Sequence, residues 1–261
     1  MALQLGRTFS DGIRRVLTQT GGALFVALLA IQFLVQASVN TAVLGFVPPE
    51  ATEQLGGMLG LTLPVSGAVG ALFFLFAFVL SSVYFVGLSR ALTRPMDELS
   101  TIPARLFTRR VFRATLSMIV GGIVVGISVS IGMVLLLLPG IFLAVCFLFF
   151  IFEVGVEDRG VLDALRHSWG LSRGNRLKLA VVVILAGVIG GVVGAVGALF
   201  DLASTPLVAE LVTNTLSSLL FVALYGIMAA AYLQVRDDAD DGFSGSETAG
   251  TTGRGVGTEG L

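Results

Sequence analysis

The chain has 261 residues, of which 55% are hydrophobic and 13% are charged, whereas roughly 45–50% apolar residues are typical of soluble domains. The charged residues are confined to short windows between long uncharged ones. No stretch is left for a soluble catalytic domain, and an integral membrane protein is indicated. One histidine, His167, and one cysteine, Cys146, exclude a His/Cys metal site and an intramolecular disulfide, and we expect no cofactor.

The first half of the chain predicts two membrane spans. Residues 1–20 carry three arginines and apolar residues at helical spacing, which predicts an amphipathic interfacial helix. Residues 21–47 are apolar and uncharged, and crossing a hydrocarbon core needs about 20 residues. A cleaved signal peptide is the competing interpretation, but hydrophobicity resumes after its cleavage site. An acidic loop at 48–64 and a second span at 66–88 follow.

The middle of the chain predicts a hairpin. Residues 89–113 form a basic connection, and residues 114–138 form the third span. The Pro139-Gly140 pair interrupts the apolar sequence and predicts a tight turn. The fourth span, residues 141–156, is short for a crossing, which predicts tilt, local thinning of the bilayer or partial shielding by neighbouring helices.

The remainder predicts two more spans and a tail. A charged amphipathic connection at 159–178 is followed by the fifth span at 179–200, an acidic loop at 201–210 and the sixth span at 211–235. After that, the sequence is acidic and rich in Gly, Ser and Thr, which predicts disorder.

The predicted fold is all-α, an integral membrane bundle of six transmembrane helices with interfacial amphipathic helices. Three regions are expected: a cytoplasmic N-terminal segment (1–20), a six-span membrane domain (21–235) and a disordered acidic cytoplasmic tail (236–261). The 16 Lys and Arg residues all precede the first span, lie in the second and fourth connections, or follow the sixth span. By the positive-inside rule, both termini then lie in the cytoplasm and the protein is a multi-pass protein of the cell membrane.

Three amides lie on one face of the first span. Gln32, Gln36 and Asn40 are four residues apart, which aligns them on a helix. Such groups need partners in hydrocarbon, so we expect this face to point into the bundle. Both a polar pathway and plain interhelical hydrogen bonding fit, and the second is the commoner role. The candidate partners are Ser81, Ser82, Tyr84, Ser128, Ser130, Asn214, Ser217 and Ser218.

Glycines recur at close spacing in two spans. Gly122 and Gly126 lie in the third span, and Gly187, Gly191 and Gly194 lie in the fifth. Small residues let helix backbones approach in lipid, so the pattern predicts close helix packing, within the chain or between copies.

No ionisable residue lies in the central part of any span. Coupled transporters usually place ionisable groups there, and an intramembrane protease or hydrolase needs a charged pair or a histidine base at depth. We therefore expect that the protein is not an enzyme.

The densest ionisable stretch follows the fourth span. Four apolar residues share a helical face there, Val161, Leu162, Leu165 and Trp169, and Trp suits the headgroup level. Arg side chains bind phosphate in a bidentate manner, so the stretch predicts contacts with lipid headgroups or a partner. The plainer alternative is a solvated interfacial helix that sets topology. The candidate contacts are Glu157, Arg159, Arg166, His167, Trp169 and Arg173.

The same stretch resembles a known group of families. The matching positions are Pro139, Gly140, Glu157, Gly160, Ala164, Leu165, Ser168, Trp169, Gly174 and Asn175. Their pattern is similar to uncharacterised multi-pass families related to the membrane domain of some glycerophosphodiester phosphodiesterases. The resemblance implies a membrane module without the enzyme, because nothing here corresponds to the soluble catalytic barrel. The excess of Arg over Lys and the acidic tail are also similar to proteins of halophilic archaea.

The sequence thus predicts a multi-pass membrane protein of unknown molecular activity. The leading hypothesis is a non-catalytic accessory or scaffold module that contacts membrane lipids or another membrane or cytoplasmic protein. The alternatives are a channel or permease-like component that uses the amide face, and a lipid-active membrane enzyme. We expect no nucleic-acid partner, and the oligomeric state stays open.

Overall fold

Helices make up the bundle. The computed structural model describes residues 3–57, 59–101, 103, 106, 108–203 and 206–252. Within these ranges there are helices and turns and no strand, and six helical stretches are long and apolar enough to cross a membrane. This confirms the predicted all-α membrane bundle.

The helix boundaries follow the hydropathy pattern with shifts of a few residues. The helices are α1 (Leu5–Val16), α2 (Gln19–Phe46), α3 (Pro49–Gly56), α4 (Gly67–Leu92), α5 (Val111–Leu135), α6 (Leu137–Cys146), α7 (Phe150–Gly155), α8 (Val161–Leu171), α9 (Arg176–Ala203) and α10 (Pro206–Thr252), with a 3₁₀ turn at Met96–Ser100. The spans are α2, α4, α5, the α6–α7 pair, α9 and the Pro206–Asp238 part of α10.

The last helix differs most from expectation. It begins at Pro206, so the end of the predicted acidic loop lies inside a helix. It continues as helical backbone through Thr252 and so covers much of the tail, whose disorder stays a prediction. Residues 253–261 lie outside the described ranges.

One end of the bundle gathers the basic segments, and we call it the basic end. Lys178 Nζ donates a hydrogen bond of 2.7 Å to the carbonyl of Leu3, and Arg15 Nη1 donates one of 2.8 Å to the carbonyl of Leu92. Burial lowers the pKa of Arg15 from its ordinary value, and nearby Asp11 partly opposes this shift. The N-terminal segment and both basic connections therefore meet at one end, as the charge pattern predicted.

Helix α1 packs against the bundle. A Cβ atom built on Gly12 would lie 2.5 Å from the Cα atom of Ile227, so only glycine fits at this contact with α10. Thr8, one turn earlier, is also buried. The predicted amphipathic helix therefore exists, and a face of small residues holds it to α10.

The predicted turn at Pro139-Gly140 was wrong by about one helical turn. The chain reverses at Leu136, whose backbone is extended, and both residues of the pair lie at the start of α6. Proline is tolerated in the first turn of a helix because its missing N–H would have no partner there. Gly132 and Gly140 then face each other closely across the α5–α6 hairpin.

The largest buried side chains lie toward the basic end. Phe149 and Phe152 contact the ring of Tyr232 with centroid distances of 5.7 and 5.1 Å. All three side chains are fully buried, and they join the α6–α7 break to α10. The break is thus held by aromatic packing.

Candidate functional site

Helix α8 is docked through small residues. Ala164 and Ser168 are fully buried, and Ser168 Oγ donates a hydrogen bond of 2.9 Å to the carbonyl of Cys146 at the end of α6. Leu162, one of the residues of the predicted apolar face, is 68% exposed. Small side chains let α8 approach closely, and the larger apolar residue is left at the surface.

A groove runs along α8, and we call it the α8 groove. Its volume is about 410 Å³, and Arg166 and Arg173 are exposed at it. The residues that line it are Phe147, Leu165, Arg166, Trp169, Gly170 and Arg173. This set combines an indole, two guanidinium groups and apolar side chains without a carboxylate, which is the chemistry of an anionic headgroup site.

A further arginine packs on the indole from the start of α9. The guanidinium of Arg176 lies 5.2 Å from the ring centre of Trp169 and 5.0 Å from that of Phe142. Its Nε and Nη2 atoms are buried and have no hydrogen-bond partner among the described residues. Gly174, with a positive φ of 84°, allows the turn between α8 and α9. Three positive charges thus lie near the ring of Trp169.

A second set of ionisable residues lies inside the basic end. Glu153 is fully buried, and its Oε2 atom lies 2.9 Å from Arg159 Nε and 2.8 Å from His167 Nδ1. These two groups come from the α7–α8 connection and from α8. The carboxylate therefore fixes α8 to the end of the fourth span.

A neighbouring ion pair holds the first basic connection. Arg90, at the end of α4, donates 2.6 Å and 2.9 Å hydrogen bonds to the carbonyls of Gly155 and Leu106 and a 2.8 Å bond to Asp158 Oδ1. Arg109 lies 3.2 Å from the other oxygen of Asp158. Asp158 has a positive φ of 53°, a backbone conformation that aspartate tolerates better than most residues. We call six residues the ionic cluster: Arg90, Arg109, Asp158, Glu153, Arg159 and His167.

The six predicted headgroup contacts therefore separate into two groups. Arg166, Trp169 and Arg173 share the α8 groove. Arg159 and His167 belong to the ionic cluster. The sixth, Glu157, is at the edge of this cluster and accepts a 3.5 Å hydrogen bond from Tyr232 Oη on α10.

Sequence reasoning missed three groups at these places. The only feature of the sequence that points to Arg90 is its position, as a single charge in the last turn of an apolar helix. Arg176 belongs to the densest ionisable stretch but was not predicted as a contact, and Phe147 gave no local signal, since the roles of both depend on a ring from another helix.

A second cavity lies at membrane depth, and we call it the α5 cavity. Its volume is about 400 Å³, and a Cβ atom built on Gly122 or Gly126 would meet nothing within 4 Å. These glycines therefore open a cavity and do not bring two helices of this chain into contact. The lining residues are Phe78, Ser81, Ser82, Phe85, Met118, Ile119, Gly122, Ile123, Val125, Gly126, Phe147, Phe150, Ile151 and Tyr225.

The predicted packing glycines of the fifth span also have open space beside them. Nothing lies within 4 Å of a Cβ atom built on Gly187, Gly191 or Gly194, and all three are exposed. Close packing within the chain is thus not supported at these positions. Packing between copies stays a prediction.

The amide face of α2 binds a carboxylate at the end of the bundle opposite the basic end, which we call the far end. Glu210 accepts a 2.7 Å hydrogen bond from Asn40 Nδ2 and a longer one, 3.4 Å, from Gln36 Nε2. It also accepts bonds from the backbone N–H groups of Gly60 and Leu61, at 3.3 and 2.7 Å. These contacts hold α2, α10 and the 59–66 segment together.

The other predicted polar partners do not join this cluster. Gln32 makes no hydrogen bond within the described part of the chain, and Asn214 Nδ2 is buried without a partner there. None of the expected serines or tyrosines bonds to Gln36 or Asn40. The true partner, Glu210, was expected in a loop.

No metal centre is formed by the residues that the structure describes, since none of their His, Cys, Asp and Glu side chains form a group of three or more placed to hold an ion.

Comparison with known proteins gives a family. The family described as "Domain of unknown function (DUF7847)" matches residues 3–235, nearly the whole of the membrane bundle. The chain therefore belongs to this family. No curated protein and no solved structure matches it. The resemblance to the membrane domain of glycerophosphodiester phosphodiesterases and to proteins of halophilic archaea stays a prediction.

Proposed function

We propose that this member of a family of unknown function is a non-catalytic accessory module of the cell membrane that binds an anionic lipid headgroup at its basic end. The α8 groove carries the proposal. Arg166 and Arg173 are exposed on either side of Trp169 in sequence and line the same groove with it. Guanidinium groups bind phosphate oxygens, and indole rings are enriched at the headgroup level.

The proposed orientation places the basic end in the cytoplasm. Contacts among the N-terminal segment, both basic connections and α10 keep the arginines on one side of the spans. The anionic lipids of a cytoplasmic leaflet attract such basic segments. The orientation thus brings the α8 groove to anionic headgroups.

The ionic cluster supports a structural role over a catalytic one. Glu153 and Asp158 are each held by two cationic or imidazole groups and are almost fully buried. A general acid or base must instead reach a substrate proton. The cluster's contacts join the basic connections to each other, as a scaffold requires.

The test compares two pairs of arginines in the full chain. The variant Arg166→Gln/Arg173→Gln removes two charges from the groove, and Arg7→Gln/Arg14→Gln removes two exposed charges from α1 at the same end. An arginine near an anionic surface contributes about 1 kcal/mol wherever it lies, so the α1 variant should lose at most about 30-fold of the preference for phosphatidylglycerol over phosphatidylcholine, since about 1.4 kcal/mol corresponds to tenfold. The groove variant should lose about 100-fold or more, because each direct hydrogen bond to a charged headgroup contributes about 1.5–3 kcal/mol.

Native mass spectrometry of the protein released from mixed vesicles measures this preference. Equal losses in both variants would show a general charge effect and contradict a headgroup site in the groove. Chemical turnover of the bound lipid by the wild-type chain would contradict the non-catalytic part of the proposal.

A further inference from the structure

The α8 groove and the α5 cavity meet at one side chain. Phe147, in the break between α6 and α7, lines both. Leu165 of the groove also packs on the buried cluster that contains Met118 and Phe150, two lining residues of the cavity. The groove and the cavity therefore adjoin at Phe147.

The cavity has the chemistry of a hydrocarbon site. Ser81 Oγ and Ser82 Oγ donate to the carbonyls of Ala77 and Phe78 in their own helix, at 2.7 and 3.1 Å. Their hydroxyl protons are thus already used, and the rest of the lining is mostly aromatic and aliphatic. Beside it, Ile123 of α5 is 48% exposed within a membrane span. The medium outside the cavity is lipid.

We propose that the α5 cavity takes a hydrocarbon tail of the same anionic lipid whose headgroup occupies the α8 groove. This inference rests on the proposed function and names its ligand as an intact lipid. A volume of about 400 Å³ falls within the roughly 300–1,000 Å³ of small-molecule sites. The groove supplies charge complementarity at the membrane surface, and the cavity supplies an apolar space at the depth of the tail.

The two glycines of the third span acquire a role in this arrangement. Leucine at Gly126 would project into the open space of the cavity. Gly191, on the exposed side of α9, also has open space and does not line the cavity. The substitutions Gly126→Leu and Gly191→Leu are therefore a matched pair, since both add the same side chain to an open helical glycine.

The experiment uses the full chain in vesicles that contain phosphatidylglycerol with a photoactivatable diazirine midway along one tail. We expect crosslinks on the residues of α4 and α5 that line the cavity, loss of these crosslinks in Gly126→Leu, and their retention in Gly191→Leu. The Arg166→Gln/Arg173→Gln variant should lose them too, because the headgroup holds the lipid. Crosslinks spread evenly over the six spans, or cavity crosslinks that persist in either of the two variants expected to lose them, would overturn the proposal.

Headgroup binding is followed separately through Trp169, the single tryptophan of the chain. Phosphatidylglycerol with a nitroxide on its headgroup should quench this residue in wild type and in Gly126→Leu alike. Quenching without the cavity crosslinks would overturn the tail site and leave the headgroup site standing. Equal quenching in wild type and in the groove variant would instead contradict the proposed function itself.

Discussion

The pair formed by Arg90 and Asp158 gives the sharpest test of the ionic cluster. Substitution Arg90→Met removes the donor for three acceptors, the carbonyls of Gly155 and Leu106 and the carboxylate. Both side chains of the pair are less than one-tenth exposed. Breaking a buried ion pair from one side costs about 3–5 kcal/mol. Arg109, which is 71% exposed, offsets at most about 1 kcal/mol of that.

The coupling between the two residues separates their pairing from the rest of the cost. Asparagine tolerates the positive φ of position 158, so Asp158→Asn changes the charge without adding backbone strain. The double-mutant cycle with Arg90→Met should give a coupling of about 1.5–3 kcal/mol, the contribution of a hydrogen bond to a charged group. Reversible unfolding by sodium dodecyl sulfate in mixed micelles, followed by circular dichroism, measures all four variants.

The control for this prediction is an exposed arginine at the same end. Arg14→Met on α1 should change the free energy of unfolding by less than about 0.5 kcal/mol. A loss in Arg90→Met no larger than in the control, or a coupling near zero, would refute the conclusion that the pair fastens the first basic connection to the α7–α8 connection.

Three further predictions concern the far end, the N-terminal helix and the orientation. Glu210→Leu removes an acceptor from four donors and leaves the backbone N–H groups of Gly60 and Leu61 without one; it should destabilise the protein by about 3 kcal/mol in the same assay, whereas substitution of the exposed Glu50, Glu50→Gln, should not. Gly12→Ala meets backbone atoms of α10 and should cost about 1–3 kcal/mol, whereas Gly6→Ala in open space should be neutral or stabilising; equal effects would contradict the close α1–α10 contact. In a Cys146→Ala background, an impermeant maleimide applied outside cells should label Glu50→Cys and spare Thr108→Cys, and the reverse pattern would contradict the proposed orientation.

The segregation of charge was enough to predict the spans and the basic end. Uncharged windows of membrane length leave the chain few alternatives to spanning helices, because an unpaired backbone is too costly in lipid. Trp169 and Arg166 lie on α8 and Arg173 lies in the turn that follows it, so their proximity at the α8 groove also follows from local sequence spacing. Local periodicity thus predicts the spanning helices and the contacts between residues that are close in the sequence.

The remaining features depend on contacts between distant residues. Glu210 is 170 residues from Asn40, and no local pattern connects them. At Gly126 and Gly191, spacing alone predicted contact, but spacing does not say whether another helix lies opposite, and open space lies there. The reversal at Leu136 was missed because proline marks the first turn of a helix as well as a turn between helices.

Helix α10 is hydrogen-bonded to other segments at both ends of the bundle. Glu210 ties it to residues 60 and 61 at the far end, and Gln234 Oε1 accepts a hydrogen bond from the backbone N–H of Gln4 at the basic end. An α-helix keeps a nearly fixed rise of about 1.5 Å per residue, so α10 behaves as a stiff rod between these two anchors. A displacement of the N-terminal segment along the axis of α10 is therefore transmitted through the helix to the opposite end of the bundle. The loop at 59–66 is the first segment there that would move.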